Sequence, residues 1–394
     1  MLQFARMRRR FLDLGIALLL VVIFAIIAFT VRISMAPFVR IGMQAVKVLH
    51  GQETLFDSEY PPLASSLFYL LQINPLTSFN SGWKMMLTTT LLLVTIFVGT
   101  QKPWESIFLG IATLLTIPLL GTEVTLARYD LLVTFLLCMA WLGTEHRRDL
   151  SAGISLGLAA SLKIVPILLF PFLWLRSGRK MRLSLGMSLG LIIGLFVPFM
   201  LLGVDVTMQN LFYLRSFHEV RGIQLESTWA GLYLLFSAIT GQFVTIDNVR
   251  RAFEVMVPSW IPTLATILTL GGLAFLFRPD WKRSSRSLPP LALLWILFMT
   301  PVLSPQYFVW IVPLLLFEAL RQIVTDAQSR YGWLLLALTI LTALLTHWIY
   351  PILYDQLVHL VLWPILILNL RTLCLLGLLV LLWQENTKQQ FQKE

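Results

Sequence analysis

Residues 150–176 read LSAGISLGLAASLKIVPILLFPFLWLR, with Lys163 the one charge between Leu150 and Leu175. The two apolar halves, 150–163 and 164–176, each fall short of the roughly 20 residues that an ordinary membrane span takes. Basic clusters flank both ends, His146-Arg147-Arg148 before and Arg176 through Arg182 after. A segment with both ends held on one side must go in and come back. The spacing therefore predicts a hairpin of two half-helices that turns near Lys163.

Outward from this hairpin, apolar runs recur along the whole chain. The protein has 394 residues, 57% hydrophobic and 13% charged, where a soluble domain is nearer about a quarter charged. Short alternating segments of a β-barrel are absent. The expected fold is an all-α polytopic integral membrane protein with about twelve transmembrane helices. Candidate spans are 12–32, 83–100, 105–121, 129–144, 150–163, 164–176, 183–203, 258–277, 288–303, 306–320, 331–350 and 365–384. Residues 1–385 read as a single integral membrane domain and 386–394 as a short, polar, disordered cytoplasmic tail. Arg6-Met7-Arg8-Arg9-Arg10 before the first run reads as an uncleaved cytoplasmic anchor. This threading puts nineteen Lys/Arg and nine Asp/Glu in the cytoplasm and eleven of each outside, so the net charge of +10 falls inside. That follows the positive-inside rule and removes the case for a nucleic-acid partner. Cys138 and Cys374 lie in apolar runs and read as packing residues.

The first outer loop, 33–82, is long, and its stretches 37–49 and 62–73 read as helices on the membrane surface. Tyr60-Pro61-Pro62 forces an extended turn and starts the second of them, holding Glu59 rigidly. The segment 228–240 reads either as interfacial or as paired with a neighbour on the outer side.

Four polar islands interrupt the apolar runs: 56–62, 127–130, 161–163 and 218–227. Charge near a bilayer persists mainly where it is paired or used. Asp57 and Glu59 are candidate general bases, and two residues apart in an extended stretch they point to one side. Arg128 suits bidentate binding of phosphate, and Asp130 opens a helix that it could simply cap. Lys163 at the hairpin turn suits a phosphate better than snorkelling. His218, Arg221, Gln224 and Glu226 bring acid, base and cation together, although an exposed loop could also look so. Ser304-Pro305-Gln306-Tyr307 joins two apolar runs with no room for a loop. Its backbone must be satisfied inside the protein or by water, which makes Gln306 and Tyr307 candidates for lining a cavity. Arg371, inside the last span, reads as pairing with a lipid headgroup or with Asp355. Walker, dinucleotide and metal-ligand patterns are missing.

In this order, Glu59-Tyr60-Pro61-Pro62, Arg128-Tyr129-Asp130, Leu162-Lys163 with Pro166 and Pro171, His218…Arg221-Gly222-Ile223-Gln224-Leu225-Glu226-Ser227 and Ser304-Pro305-Gln306-Tyr307 resemble the polyprenol-phosphate-dependent glycosyltransferases of family 87, in the C-type membrane superfamily. The resemblance implies an inverting transferase at the outer face of a bacterial plasma membrane. Its donor would be a mannose-like or related sugar on a polyprenyl phosphate, and its acceptor a lipid, glycan or protein. Such relatives usually carry an Asp early in the first outer loop, where this chain aligns Pro37. Glu59 and Asp57 are then the nearest carboxylates for the base. Arg128, Lys163 and Arg221 would stabilise the leaving phosphate. His218 and Glu226 would hold sugar hydroxyls or orient the arginines, and Gln306 and Tyr307 would line a groove. No cofactor is required by this scheme; a divalent cation could be held but nothing demands one. Two other readings remain at this point: a flippase for lipid-linked sugar, and a non-catalytic relative that binds it.

Overall fold

The structure, a computed structural model, describes residues 2–219, 221–249, 252–277 and 286–391. Its contacts define two compact units, Met1–Leu114 with Thr125–Glu219, and Leu115–Val124 with Val220–Glu394.

The first unit holds α1 (Leu2–Thr30), α2 (Ala36–Leu49), α3 (Pro62–Ile73) and α4 (Phe79–Gly99). Next come α5 (Pro103–Leu120) and α6 (Thr122–Thr125), which cross the boundary between units, then α7 (Asp130–Glu145), α8 (Asp149–Leu162), α9 (Phe170–Arg176) and α10 (Lys180–Glu219). Both stretches expected as surface helices, 37–49 and 62–73, are helical. Pro62 sits at the start of α3, where its missing N–H costs nothing. Phe38, Ile41, Gly42 and Ala45 make the buried stripe of α2. At Gly42 that stripe lies so close to α3 that a Cβ would be 2.7 Å from the Phe68 carbonyl oxygen.

The expected hairpin also forms. α8 stops at Leu162, Lys163 is extended (φ −146°, ψ 129°), and a 3₁₀ turn at Val165–Leu169 leads into α9. Its two ends meet: the Ser177 hydroxyl donates to Asp149 at 2.6 Å, and Arg176 pairs with Glu145 at 3.3 Å. The hairpin is fastened to α10 by glycines. A Cβ on Gly157 would lie 2.5 Å from the Met187 carbonyl oxygen, and Gly153, Gly186 and Gly190 make equally close backbone approaches. This is the small-xxx-small contact by which helices approach backbone to backbone in a membrane. Gly203 breaks α10 with a φ of 76°, a left-handed value that glycine adopts without strain. The expected span ended there. The chain stays helical to Glu219 because Val206, Asn210 and Phe217 keep a helical spacing and are buried.

The second unit holds α11 (Thr228–Thr240), α12 (Trp260–Leu276), α13 (Leu288–Met299), α14 (Phe308–Thr325), α15 (Arg330–His347), α16 (Tyr354–Val358) and α17 (Leu362–Phe391). It also contains a small antiparallel sheet that the all-α expectation did not include. β1 (Ile223–Gln224) and β2 (Ile246–Val249) flank β3 (Ala252–Val255), with Gln224 opposite Glu254. Ile246-Asp247-Asn248-Val249 and Ala252-Phe253-Glu254-Val255 do not alternate strictly between apolar and polar, so the strands carry little sequence signal. Ile223, Leu225, Leu234, Val255, Ile349 and Leu368 pack into one apolar cluster that joins the sheet to α11 and α17. Segment 228–240 is thus a helix paired with a neighbour: Asn369 of α17 donates to the Gly231 carbonyl at 2.8 Å. α17 runs to Phe391, so the stretch from Asn386, expected as a disordered tail, continues the helix; 392–394 lie outside the described residues.

Helices form within all twelve expected spans, although 300–303 is irregular and 165–169 is a 3₁₀ turn. Among the described residues seven helices are long and apolar enough to cross a membrane: α1, α4, α5, α10, α14, α15 and α17. α7, α8, α9, α12 and α13 are shorter. Large apolar side chains such as Leu19, Ile26, Ile192, Phe196, Ile267 and Leu270 are exposed on these helices, as a hydrocarbon solvent permits.

Gly157→Leu must push α8 and α10 apart, because the neighbouring atoms are backbone. Overpacking of this kind costs about 1–3 kcal/mol. The detergent-solubilised variant is expected to melt clearly below wild type in a thermal unfolding assay; an unchanged melting point would refute the glycine contact.

Candidate functional site

The loop from Phe56 to Tyr60 has no regular secondary structure, yet each of its backbone turns is tied down. The Phe56 N–H donates to Gln209 at 3.0 Å. Asn210, buried on α10, donates to the carbonyls of Ser58 and Tyr60 at 3.0 and 2.9 Å, one on each side of Glu59. The buried Ser58 and Ser65 hydroxyls share a hydrogen bond of 2.8 Å. Both carboxylates then face α2. Glu59 lies 3.8 Å from Arg40, and Asp57 accepts from Gln44, one helical turn further on. Arg40 and Gln44 share a face of α2, so Asp57 and Glu59 point the same way.

Glu59 is linked through Tyr60 to a buried aromatic cluster. The Tyr60 ring packs 5.4 Å from Phe38 and 5.4 Å, edge-on, from Tyr129. The Trp83 indole stacks on Phe38 and donates to the Leu126 carbonyl at 2.8 Å, which anchors the turn before Arg128. Arg128 is half-buried with its guanidinium over the Phe38 ring at 5.8 Å. No carboxylate among the described residues pairs with it. Lys163 differs, because its ammonium lies 3.4 Å from the fully buried Asp130 and 5.0 Å from the Tyr129 ring. Asp130 is the first residue of α7, and Tyr129 occupies the N-cap position. Lys163 is paired with Asp130, whereas Arg128 has no carboxylate partner among the described residues and lies over Phe38, the ring on which Tyr60, the neighbour of Glu59, also packs.

In the second unit, the Gly222 N–H donates to Glu254 at 2.6 Å and the Leu225 N–H to the Phe253 carbonyl at 3.0 Å. The connection 300–304 does need internal partners. The Gln224 N–H donates to the Pro301 carbonyl at 3.0 Å, and the Trp229 indole to the Met299 carbonyl at 2.7 Å. Gln306 and Tyr307 form a half-buried 3₁₀ turn opening α14, with Tyr307 stacked on Trp310 at 4.7 Å. Glu226 is 2% exposed. Burial pushes its carboxyl up to about 7, against the pull of its own N–H, the Tyr354 hydroxyl, Arg371 and Arg221. Burial also raises Glu254, and the Tyr354 hydroxyl is raised by burial and by Glu226. Arg371 donates to the Glu226 carbonyl. The expected pairing of Arg371 with a lipid headgroup or Asp355 is therefore corrected: Arg371 is fully buried, and Asp355 is an exposed neighbour of His359 at 3.6 Å. His218 is exposed on the last turn of α10, its ring edge-on to Phe217 at 5.5 Å.

The structure thus brings Glu59, Asp57, Arg128, Asp130 and Lys163 around Phe38, Tyr60 and Tyr129 in one unit. It brings Arg221, Gln224 and Glu226 around Arg371, Tyr354 and Glu254 in the other. Asn210, Arg40, Gln44, Tyr354 and Arg371 were not singled out as site residues from sequence. Each lies on a helix, but its partner is 13 to 152 residues away in the sequence. Among the described residues no three His, Cys, Asp or Glu side chains come together as a metal would require.

This is the arrangement of an enzyme that works on a polar group at a membrane: helices of spanning length carrying held carboxylates and an unneutralised guanidinium. The model of glycosyltransferase family 87 matches residues 59–305, more than half of the chain, and the protein belongs to that family. No curated protein matches the chain.

Two outcomes follow. Asn210→Ala frees the carbonyls beside Glu59 and is expected to lower kcat at least tenfold with KM little changed, measured in a membrane transfer assay. Glu226 binds its proton more tightly folded than unfolded, so its contribution to stability is present below about 4.5 and is lost as pH rises to about 7. Glu226→Gln is expected to flatten that part of the melting-temperature profile; an identical pH slope in the variant would show that Glu226 is not the group responsible.

Proposed function

We propose that the protein moves a sugar, mannose-like in the first instance, from a polyprenyl phosphate to a lipid, glycan or protein acceptor, with inversion at the anomeric carbon. The observation that carries this reading is one aromatic cluster that holds Tyr60, next to Glu59, and Arg128, a guanidinium without a carboxylate partner among the described residues. Family membership supports glycosyl transfer over flipping of a lipid-linked sugar.

In this reading Glu59 removes the proton of the acceptor hydroxyl. Its C1–O bond forms as the bond from C1 to the phosphate oxygen breaks, and the electron pair leaves with the polyprenyl phosphate. Arg128 takes up that charge in a poorly solvated surrounding, where a preorganised cation counts most. Lys163 contributes through its shared proton donors, and Asp130 holds it in place. Asp57, tied to Gln44, orients the loop and is the second candidate for the base. Arg221, Gln224 and Glu226, with His218, are the substrate-binding set. Gln306 and Tyr307 line the groove for lipid or acceptor. The displacement calls for no metal, so chelation is expected to leave the rate unchanged.

In this reading the chain crosses the plasma membrane twelve times with both termini in the cytoplasm, and the chemistry lies at the outer face; the seven helices of spanning length support the membrane setting. Lipid-carried donors supply sugar on a side that nucleotide sugars do not reach. The family match takes in residues of both units, which supports one integral domain.

Glu59→Gln is expected to lower transfer from polyprenyl-phosphate mannose into membrane lipids by roughly 10²- to 10⁴-fold, the usual worth of a general base. Asp57→Asn is expected to cost less. Full activity in Glu59→Gln with loss in Asp57→Asn would reverse the two roles. Failure of wild type with mannose, glucose and arabinose donors alike would sink the lipid-donor reading.

A further inference from the structure

Arg371 is the costliest side chain to bury in the second unit. It lies in a helix of membrane-spanning length and is fully buried. Among the described residues its guanidinium makes one hydrogen bond, from Nη2 to the Glu226 carbonyl. Nε and Nη1 have no hydrogen-bond partner, and Phe308 covers one face of the group at 5.1 Å. A buried guanidinium satisfied only in part is worse for stability than an apolar side chain of the same size. Packing alone gives no reason for arginine here.

Two acceptors in the same cluster are also left over. Glu226 Oε2 and Gln224 Oε1 have no partner, on side chains only 2% and 7% exposed. Glu226 is the residue Arg371 already holds, and Gln224 is two residues away. Unused donors on Arg371 and an unused acceptor on Glu226 thus occur on residues already in contact, with that of Gln224 two residues along the chain, and Ile223, Leu225 and Phe308 around them are buried. Each hydroxyl of a sugar ring both donates and accepts, and adjacent hydroxyls need both kinds of partner. The charges of Arg371 and an ionised Glu226 cancel, which suits a neutral polyol better than a phosphate.

We propose that Arg371, Glu226 and Gln224 form a subsite that recognises adjacent hydroxyls of a sugar substrate, Arg371 donating and the other two accepting. The proposal rests on the glycosyl-transfer reading above. Arg371, and Tyr354, which hydrogen-bonds Glu226, lie beyond the family match at 59–305, so this part of sugar recognition comes from the last helices of the chain.

The test compares wild type with Arg371→Lys, Arg371→Met and Glu226→Gln. The lysine variant keeps a buried cation and is expected to fold, but an ammonium cannot present the two donors of a planar guanidinium. One readout is kcat/KM for polyprenyl-phosphate mannose against its monodeoxy analogues. Wild type is expected to reject one analogue roughly 10- to 100-fold, the worth of hydrogen bonds to charged groups, and Arg371→Lys to lose that discrimination. A purely structural role would lower the rates for all donors equally and leave the discrimination intact. The second readout is thermal stabilisation of the purified proteins by methyl mannoside, methyl glucoside and methyl arabinoside, expected for wild type and absent in the variants. If Arg371→Lys keeps both discrimination and stabilisation, water satisfies these atoms and the subsite is overturned while the transferase reading stands. If wild type transfers nothing but is stabilised by a glycoside through Arg371, the subsite stands and the lipid-donor reading falls. Neither transfer nor stabilisation overturns both.

Discussion

The contact on which the first unit depends is glycine against backbone between α8 and α10. Without side chains at Gly153, Gly157, Gly186 and Gly190, two helices lie close enough for a Cβ to collide with the opposite main chain. In hydrocarbon, association draws on close packing and hydrogen bonds, because apolar burial offers little when the solvent is equally apolar. Two things follow from this approach. α8 delivers Lys163 at its C-terminal end, beside Asp130. α10 delivers Gln209 and Asn210 to a loop that has no secondary structure of its own. Asn210 fixes the carbonyls on both sides of Glu59, so a carboxylate in an irregular segment is held as firmly as one on a helix.

The second unit is organised around charge placed where charge is expensive. Arg371 and Glu226 are both buried, and each lessens the cost of the other. Around them the exposed polar backbone of an irregular stretch is satisfied in turn. The Gln224 N–H and the Trp229 indole reach the carbonyls freed between α13 and α14, and Glu254 takes the Gly222 N–H. A connection of this kind cannot face lipid, since each unmet N–H or carbonyl there costs several kcal/mol. The small sheet serves the same need, because it pairs the backbone that leads into Glu226.

Much of the local structure is legible in the residues. The hairpin turn at Lys163 follows from apolar halves too short to span and from basic clusters at both ends. The helix starting at Pro62 follows from proline's fixed φ. The need of the 300–304 backbone for internal partners follows from the lack of room for a loop. Other features were less visible. The strands of the sheet are two to four residues long and do not alternate strictly between apolar and polar, so they are easily lost among long apolar runs. The helical stretch after Gly203 looked like a loop because a glycine break resembles an end. The small-xxx-small spacing was present in the sequence, but it does not say which two helices will meet.

The sequence alone determined the class of protein: apolar runs, the charge pattern and the spacing of a few motifs place helices in a membrane with polar islands between them. These are one-dimensional properties, set by the cost of putting charge and unpaired backbone into hydrocarbon. The partners were decided by tertiary structure. Asp130 lies beside Lys163, Glu226 rather than Asp355 faces Arg371, and Arg128 has no carboxylate partner among the described residues. Pairing depends on which faces of distant helices meet, and residues 145 positions apart, as Arg371 and Glu226 are, leave no local trace of their contact.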